Sequence, residues 1–143
     1  MEYTTQMDAA RKGIVTEELR KVAEKEHFEV NELMALVAEG KAAIPANKNH
    51  RCLDPNGIGS MLRTKINVNL GTSRDCKDLD MELEKVNYAV GMGAESIMDL
   101  SSWGDTQKFR RKLTAECPAI IGTVPIYDAV VYYHKPLKDI TTE

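Results

Sequence analysis

The sequence predicts an α/β protein: a mostly helical N-terminal region, residues 1–60, followed by the start of a parallel sheet in residues 61–143. Two observations support this order. Apolar residues in the first forty positions recur at the helical spacing i, i+3, i+4. After residue 60, three short apolar runs alternate with helical patterns, which is typical of βαβ units. A connector rich in proline and glycine, residues 41–60, separates the two patterns, so we place a domain boundary at residue 60.

Three helices are expected in the N-terminal region. Thr4 or Thr5 can cap the first helix, Thr16 caps the second, and Asn31 opens the third. The second and third helices carry stripes of leucine, valine and alanine on one side. These stripes predict faces that pack into a core.

The first predicted strand, residues 65–70, lies in the stretch "RTKINVNLGTS". Successive side chains of a strand point to opposite faces, so Lys65, Asn67 and Asn69 share one face. The other face packs under helices and carries Ile66, Val68 and Leu70. A buried amide without a partner costs about 1–3 kcal/mol. The asparagine face should therefore meet a ligand or a polar interior, or else both amides satisfy neighbouring backbone groups.

Two further apolar runs, residues 96–101 and 119–124, complete three strands, with helical patterns at 80–92 and 105–113 between them. Spacings of about 30 and about 24 residues suit a (β/α)8 barrel, and they also suit a doubly wound sheet. A complete barrel needs roughly 250 residues. We therefore expect the first three βα units of a barrel that is incomplete in this chain, and hence the N-terminal part of a longer protein.

Ligands of parallel α/β folds bind at the carboxyl ends of the strands. Asn69, Met98 and Tyr127 stand out there, one from each βα unit and each 29 residues from the next. Asp99 can be an acid, a ligand or a supporting hydrogen-bond acceptor, and we favour the last.

Composition excludes several classes of function. The 19 basic and 22 acidic side chains are mixed along the chain and leave a net charge of −3. No basic patch suggests nucleic acid or an anionic membrane as a partner. The start, "MEYTTQMDAARKG", has no apolar run of the kind found in signal peptides or transmembrane helices. A cytoplasmic protein is the expectation.

The cysteines and histidines form no recognisable metal or redox motif. Cys52, Cys76 and Cys117 are 24 and 41 residues apart, so we interpret them as reduced structural thiols. The histidines are equally scattered. His50 caps a turn or reaches a neighbouring active site, and we favour the turn.

Five stretches carry a family resemblance. "AAIPANKNH", "LRTKINVNLGTS", "ESIMDLSSWG" and "IIGTVPIYDA" occur in the order found in the phosphomethylpyrimidine synthase (ThiC) family. "YTTQMDAARKG" is similar to the short, anaerobe-type members of that family. Nearly the whole chain resembles the N-terminal portion of these proteins.

The resemblance implies a radical S-adenosylmethionine (SAM) enzyme of the lyase type, with a (β/α)8 barrel, acting in thiamin biosynthesis. The family rearranges 5-aminoimidazole ribotide into 4-amino-5-hydroxymethyl-2-methylpyrimidine phosphate. The resemblance also implies a [4Fe-4S] cluster, SAM and zinc as cofactors, and a homodimer. The ribotide contacts of the family fall on Asn69, Met98 and Tyr127.

Two departures from the family pattern leave alternatives open. The cluster motif C-x-x-C-x-x-x-x-C and the segment with the metal-binding histidines are missing. We therefore expect no catalytic or metal-binding residue in this segment and no activity from it alone. Met61 replaces the usual glycine before "LRTK", which could mark the sister branch, 5-hydroxybenzimidazole synthase. A ribotide-binding or assembly module without activity is the non-enzyme alternative.

Overall fold

The computed structural model describes residues 3–141 and divides the chain into two compact units, residues 1–65 and 66–143. The division falls shortly after residue 60, where the sequence places the boundary. Residues 61–65 belong with the first unit because the Arg63 backbone N–H and the Lys65 side chain both bind the Glu26 carboxylate.

The first unit contains three helices and a small pair of strands. In chain order these are α1 (Gln6–Arg11), α2 (Glu17–Glu26), α3 (Val30–Ala38), β1 (Ala42–Ala43) and β2 (Ile58–Gly59). The two strands pair antiparallel. The sequence predicts only turns in this connector, because two-residue strands are too short to show a pattern.

Side-chain caps begin the first two helices as predicted. Thr5 Oγ1 accepts a hydrogen bond from the Asp8 N–H at 3.0 Å, and Thr16 Oγ1 accepts one from the Leu19 N–H at 3.1 Å. The prediction that Asn31 opens the third helix is wrong. The helix begins at Val30 with Glu29 as its N-cap, and the Glu29 carbonyl accepts the first helical hydrogen bond from the Leu33 N–H.

The helical stripes of α2 and α3 form the core of the first unit, where leucine, valine and alanine side chains are buried together. An ion pair lies beside them. The side chains of Lys65 and Glu26 bond to each other and are only 5% and 3% exposed. The prediction that Lys65 belongs to the polar face of the first strand is therefore wrong, because the pairing holds its side chain within the first unit.

The second unit is a three-stranded parallel sheet with helices between and after its strands. The elements are β3 (Asn67–Leu70), α4 (Leu79–Gly91), β4 (Ser96–Asp99), α5 (Thr106–Glu116), β5 (Ile120–Thr123), α6 (Pro125–Tyr133) and a 3-10 turn (Leu137–Asp139). The strand order is β3-β4-β5 and both pairings are parallel. The predicted alternation of strands and helices is confirmed, and closure into a barrel stays a prediction.

The core of the second unit lies between this sheet and α4 and α5. Leu70 and Ile97 from the strands are buried with Val86, Phe109 and Leu113 from the helices. Val68 also packs here, so two of the three apolar residues predicted for the first strand face the helices.

Ile66 departs from that prediction. It precedes β3 and is 59% exposed. With Met81, Tyr88 and Met92 it lines an apolar groove of about 650 Å³. The reason is its position: β3 is an edge of the described sheet, so its outer flank is not covered by another strand. Within residues 3–141, we find no helix with the length and apolar character needed to cross a bilayer.

Candidate functional site

The sheet face opposite the helices carries the asparagines. Asn67 is aligned with Ser96, Asn69 with Met98, and Met98 with Gly122. Aligned residues of parallel strands point to the same side of a sheet. All five positions therefore share one face, and those nearest the carboxyl ends of the strands are Asn69, Met98 and Gly122.

The two asparagines satisfy part of each other's hydrogen-bonding capacity. Asn67 Nδ2 donates to Asn69 Oδ1 at 2.8 Å, and Ser96 Oγ donates to Asn67 Oδ1 at 2.9 Å. These bonds fix the carboxamide of Asn69 by its oxygen. Among the described residues, no acceptor is bonded to Asn69 Nδ2. Asn69 therefore presents two N–H donors to whatever lies above the sheet.

Met98 lies on the same face as Asn69, and a glycine makes room for its side chain. A Cβ built at Gly122 would lie 2.8 Å from Met98 Cε and 2.9 Å from Met98 Sδ. The thioether thus lies across the backbone of β5. The sequence analysis did not select Gly122, although a glycine inside a strand is a known signal of close approach.

Tyr127 lies at the same edge of the sheet, in the first turn of α6. That helix begins at Pro125, separated by one residue from the end of β5, and the Tyr127 side chain is half exposed. The next residue, Asp128, anchors this turn to α5: its Oδ1 accepts from Arg110 Nη2 at 2.9 Å and from the Thr106 hydroxyl. Burial alone would raise the pKa of Asp128, but the hydrogen bonds from Arg110 and Thr106 outweigh it and lower that pKa.

A chain of hydrogen bonds joins the loops that follow β3 and β4. Asp99 Oδ1 accepts from the Ser101 N–H at 2.9 Å, in keeping with the acceptor role favoured for it from the sequence. Ser101 Oγ accepts from the Thr72 N–H at 3.1 Å, and the Thr72 hydroxyl donates to the Trp103 carbonyl at 2.6 Å. The three side chains in this network are buried, so the two loops are held as one assembly.

The Trp103 ring lies at the outer end of this assembly with two cations over it. Arg74 Cζ is 5.7 Å and Lys77 Nζ is 5.1 Å from the ring centroid, within the range of a cation–π contact. The indole is partly exposed to solvent.

Glu82 is a buried carboxylate that the sequence analysis did not select. It is completely buried on α4. Its Oε2 accepts from the Gly71 N–H at 2.8 Å, and its Oε1 accepts from Lys85 Nζ at 2.6 Å. A signal was available, because Glu82 lies three residues after Leu79 and four before Val86, on the apolar stripe of its helix.

Comparison with known proteins identifies the family of this chain. The model of the radical SAM ThiC family matches residues 5–143. The chain belongs to the radical SAM ThiC family. Several relatives are named phosphomethylpyrimidine synthase. Those of Clostridium botulinum strain 657 / Type Ba4 and strain Kyoto / Type A2 are each 66% identical to this chain, and that of Clostridium novyi strain NT is 63% identical.

Each match to these ThiC relatives covers all 143 residues of the chain and 33% of the relative. The chain therefore spans about a third of the length of the curated relatives it matches. The resemblance to the N-terminal portion of the family is confirmed.

Membership in a radical SAM family implies SAM and an iron–sulfur cluster as cofactors of the ThiC family. The residues of this chain do not fit such a cluster. None of the three cysteines forms a disulfide, and they differ in exposure: Cys52 is partly buried, Cys76 is exposed and Cys117 is buried. Between residues 3 and 141, no group of three or more histidine, cysteine, aspartate or glutamate side chains could hold a metal ion.

Proposed function

We propose that this chain is the ribotide-binding N-terminal part of a phosphomethylpyrimidine synthase. In this proposal Asn69, Met98 and Tyr127 contact 5-aminoimidazole ribotide at the carboxyl edge of the parallel sheet. The observation that carries the proposal is the alignment of Asn69 with Met98 on one open face, in a chain 66% identical to proteins of that name.

Each of the three side chains offers a different contact. The free Nδ2 of Asn69 donates two hydrogen bonds to acceptor atoms of the ribotide. The polarizable thioether of Met98, lying flat over Gly122, packs against the planar imidazole ring. The Tyr127 hydroxyl can donate or accept a hydrogen bond. Together they suit a ligand with a flat heterocycle and polar substituents.

The reaction itself belongs to the complete protein. We propose that it rearranges the ribotide into 4-amino-5-hydroxymethyl-2-methylpyrimidine phosphate in the cytoplasm, as a homodimer, with a [4Fe-4S] cluster, SAM and zinc. The ligands of these groups lie outside this chain, since its own cysteines do not form a cluster site. The chain alone is expected to bind ribotide without converting it.

Calorimetric titration of the full-length protein with ribotide tests the binding role. Asn69→Ala removes at least one neutral hydrogen bond to the ligand, worth about 0.5–1.5 kcal/mol, so affinity should fall by at least roughly 2- to 13-fold. Asn69→Asp replaces the two donors with acceptors and should bind more weakly still. Asn87→Ala, at an exposed position of α4, is the matched control and should bind normally. Normal affinity combined with early melting of Asn69→Ala would make Asn69 a structural residue and remove it from the site.

Product analysis decides between the two branches of the family. The names of the relatives support the pyrimidine. Incubation of the full-length protein with ribotide, SAM and a reductant should yield the pyrimidine phosphate. A benzimidazole product would transfer the chain to the sister branch, and binding without any product would make it a ribotide-binding module.

A further inference from the structure

Glu82 is a charged group in a place where charge is costly. Its side chain is completely buried, and the effective penalty for burying an ion is several kcal/mol. Lys85 offsets part of this cost, and the hydrogen bond that it donates to Glu82 raises the pKa of Lys85. A neutral side chain would fill the same volume without the penalty. The carboxylate therefore needs an explanation beyond packing.

The other oxygen of Glu82 holds the backbone at the turn that follows Asn69 and Leu70. It accepts from the Gly71 N–H at 2.8 Å, and hydrogen bonds to an ionised acceptor are roughly twice as strong as neutral ones. Gly71 has a φ of +144°, a conformation that favours glycine. The turn is thus fixed from one side by a charge-assisted bond.

The opposite side of Gly71 touches the backbone that follows β4. A Cβ at this position would lie 2.5 Å from Ser101 N and 2.7 Å from the carbonyl carbon of Leu100. The Leu100 N–H donates to the Leu70 carbonyl at 2.8 Å. Gly71 is therefore held between the Glu82 carboxylate and the loop after Met98.

We propose that Glu82 is a positioning residue for the ligand site: by holding the Gly71 N–H it fixes the carboxyl end of β3, and with it the orientation of Asn69 beside Met98. The inference rests on the proposed ribotide site. It assigns Glu82 no contact with the ligand.

Three substitutions in the full-length protein separate positioning from packing. Glu82→Met keeps the length and removes the acceptor. Glu82→Asp keeps the charge but is one methylene short of the Gly71 N–H. Glu82→Gln keeps an acceptor and is the rescue variant. Glu84→Gln, on the exposed side of the same helix, is the control.

Two readouts are needed, both at a temperature where every variant is folded. The Met and Asp variants should exchange the Gly71 amide hydrogen faster, and their kcat/KM for ribotide should fall roughly 10- to 100-fold, as expected for a misplaced binding group. The Gln variant should fall between these variants and the parent protein, because its neutral acceptor makes a weaker bond to the Gly71 N–H. The control should stay close to the parent protein in both measurements. If Glu82→Met does not fold, Glu82→Asp decides.

Parent-like kcat/KM in a folded Asp or Met variant with fast Gly71 exchange would overturn the inference, because the turn would then be free and Asn69 unaffected. Unchanged exchange would overturn it as well, since Glu82 would not hold the turn. A parent protein that binds no ribotide would instead refute the proposed function, while the exchange of the Gly71 amide would still test the Glu82 contact.

Discussion

Replacing Lys65 with methionine tests the buried ion pair of the first unit. Lys65 and Glu26 are almost fully enclosed. Lys65→Met fills a similar volume but leaves the buried Glu26 carboxylate without its ammonium partner, while the Arg63 N–H still binds it. Breaking a buried pair by removing one partner costs about 3–5 kcal/mol. Because the Arg63 N–H remains, we expect a loss of about 3 kcal/mol, the lower end of that range.

The dependence on pH carries the sharper expectation. Burial raises the pKa of Glu26, but the hydrogen bonds from Lys65 and Arg63 outweigh it, so the folded pKa lies below the ordinary value of 4.5. The stabilisation is thus present above pH 4.5 and is lost as the pH falls through the folded pKa. A protonated Glu26 does not need a counter-charge. The stability difference between parent and Lys65→Met should therefore narrow as the solution is acidified.

Denaturant unfolding at several pH values between neutral and acid measures this difference. The double variant Lys65→Met/Glu26→Met should recover most of the lost stability, because it leaves no unpaired charge. Lys21→Met, which removes an exposed pair with Glu17, is the control and should change little at any pH. A difference of the same size at all pH values, or no recovery in the double variant, would refute the argument.

Three further predictions concern the second unit. Gly122→Ala should displace Met98 and weaken ribotide binding while the melting temperature changes little, because the crowded atoms are the flexible end of the Met98 side chain. A large fall in the melting temperature together with the loss of affinity would contradict this prediction. Gly71→Ala should destabilise by at least about 1–3 kcal/mol, because its φ of +144° strains any other residue, and parent-like melting would show that the turn can relax. Arg110→Met should cost about 1 kcal/mol at neutral pH. That cost should disappear as the pH falls below 3.8, the ordinary pKa of Asp128, because the folded pKa is lowered; a constant cost in acid would argue against the pair.

Local sequence signals were enough for the caps of the first two helices and for the alternation of strands and helices. A threonine and the N–H group that it caps lie within four residues, and apolar runs that alternate with helical stripes predict parallel strands. The helix α6 was not predicted. The asparagine face also follows from strand periodicity. The neighbours of this face could not be predicted in the same way. Asn69 lies beside Met98 because of the register between β3 and β4. The equal spacing of the two residues along the sequence suggests that register, but only the observed strand pairing establishes it.

Long-range contacts could not be predicted. Lys65 and Glu26 are 39 residues apart, and no local pattern links them. Ile66 looks like a core residue because it continues the alternation of β3, yet its exposure depends on what lies beyond the sheet edge. Glu82 is the opposite case: its charge suggests a solvated position, whereas its place on the apolar stripe of α4 buries it.

The position of Trp103 gives the chain an internal spectroscopic reporter. It is the only tryptophan among the 143 residues, and its backbone carbonyl accepts the hydrogen bond from Thr72 that joins the two loops. Arg74 and Lys77 surround the indole with positive charge. Anions concentrate near such a patch and cations are repelled from it. Iodide should therefore quench the indole fluorescence more efficiently than caesium, and loosening of the loop assembly should reduce that preference.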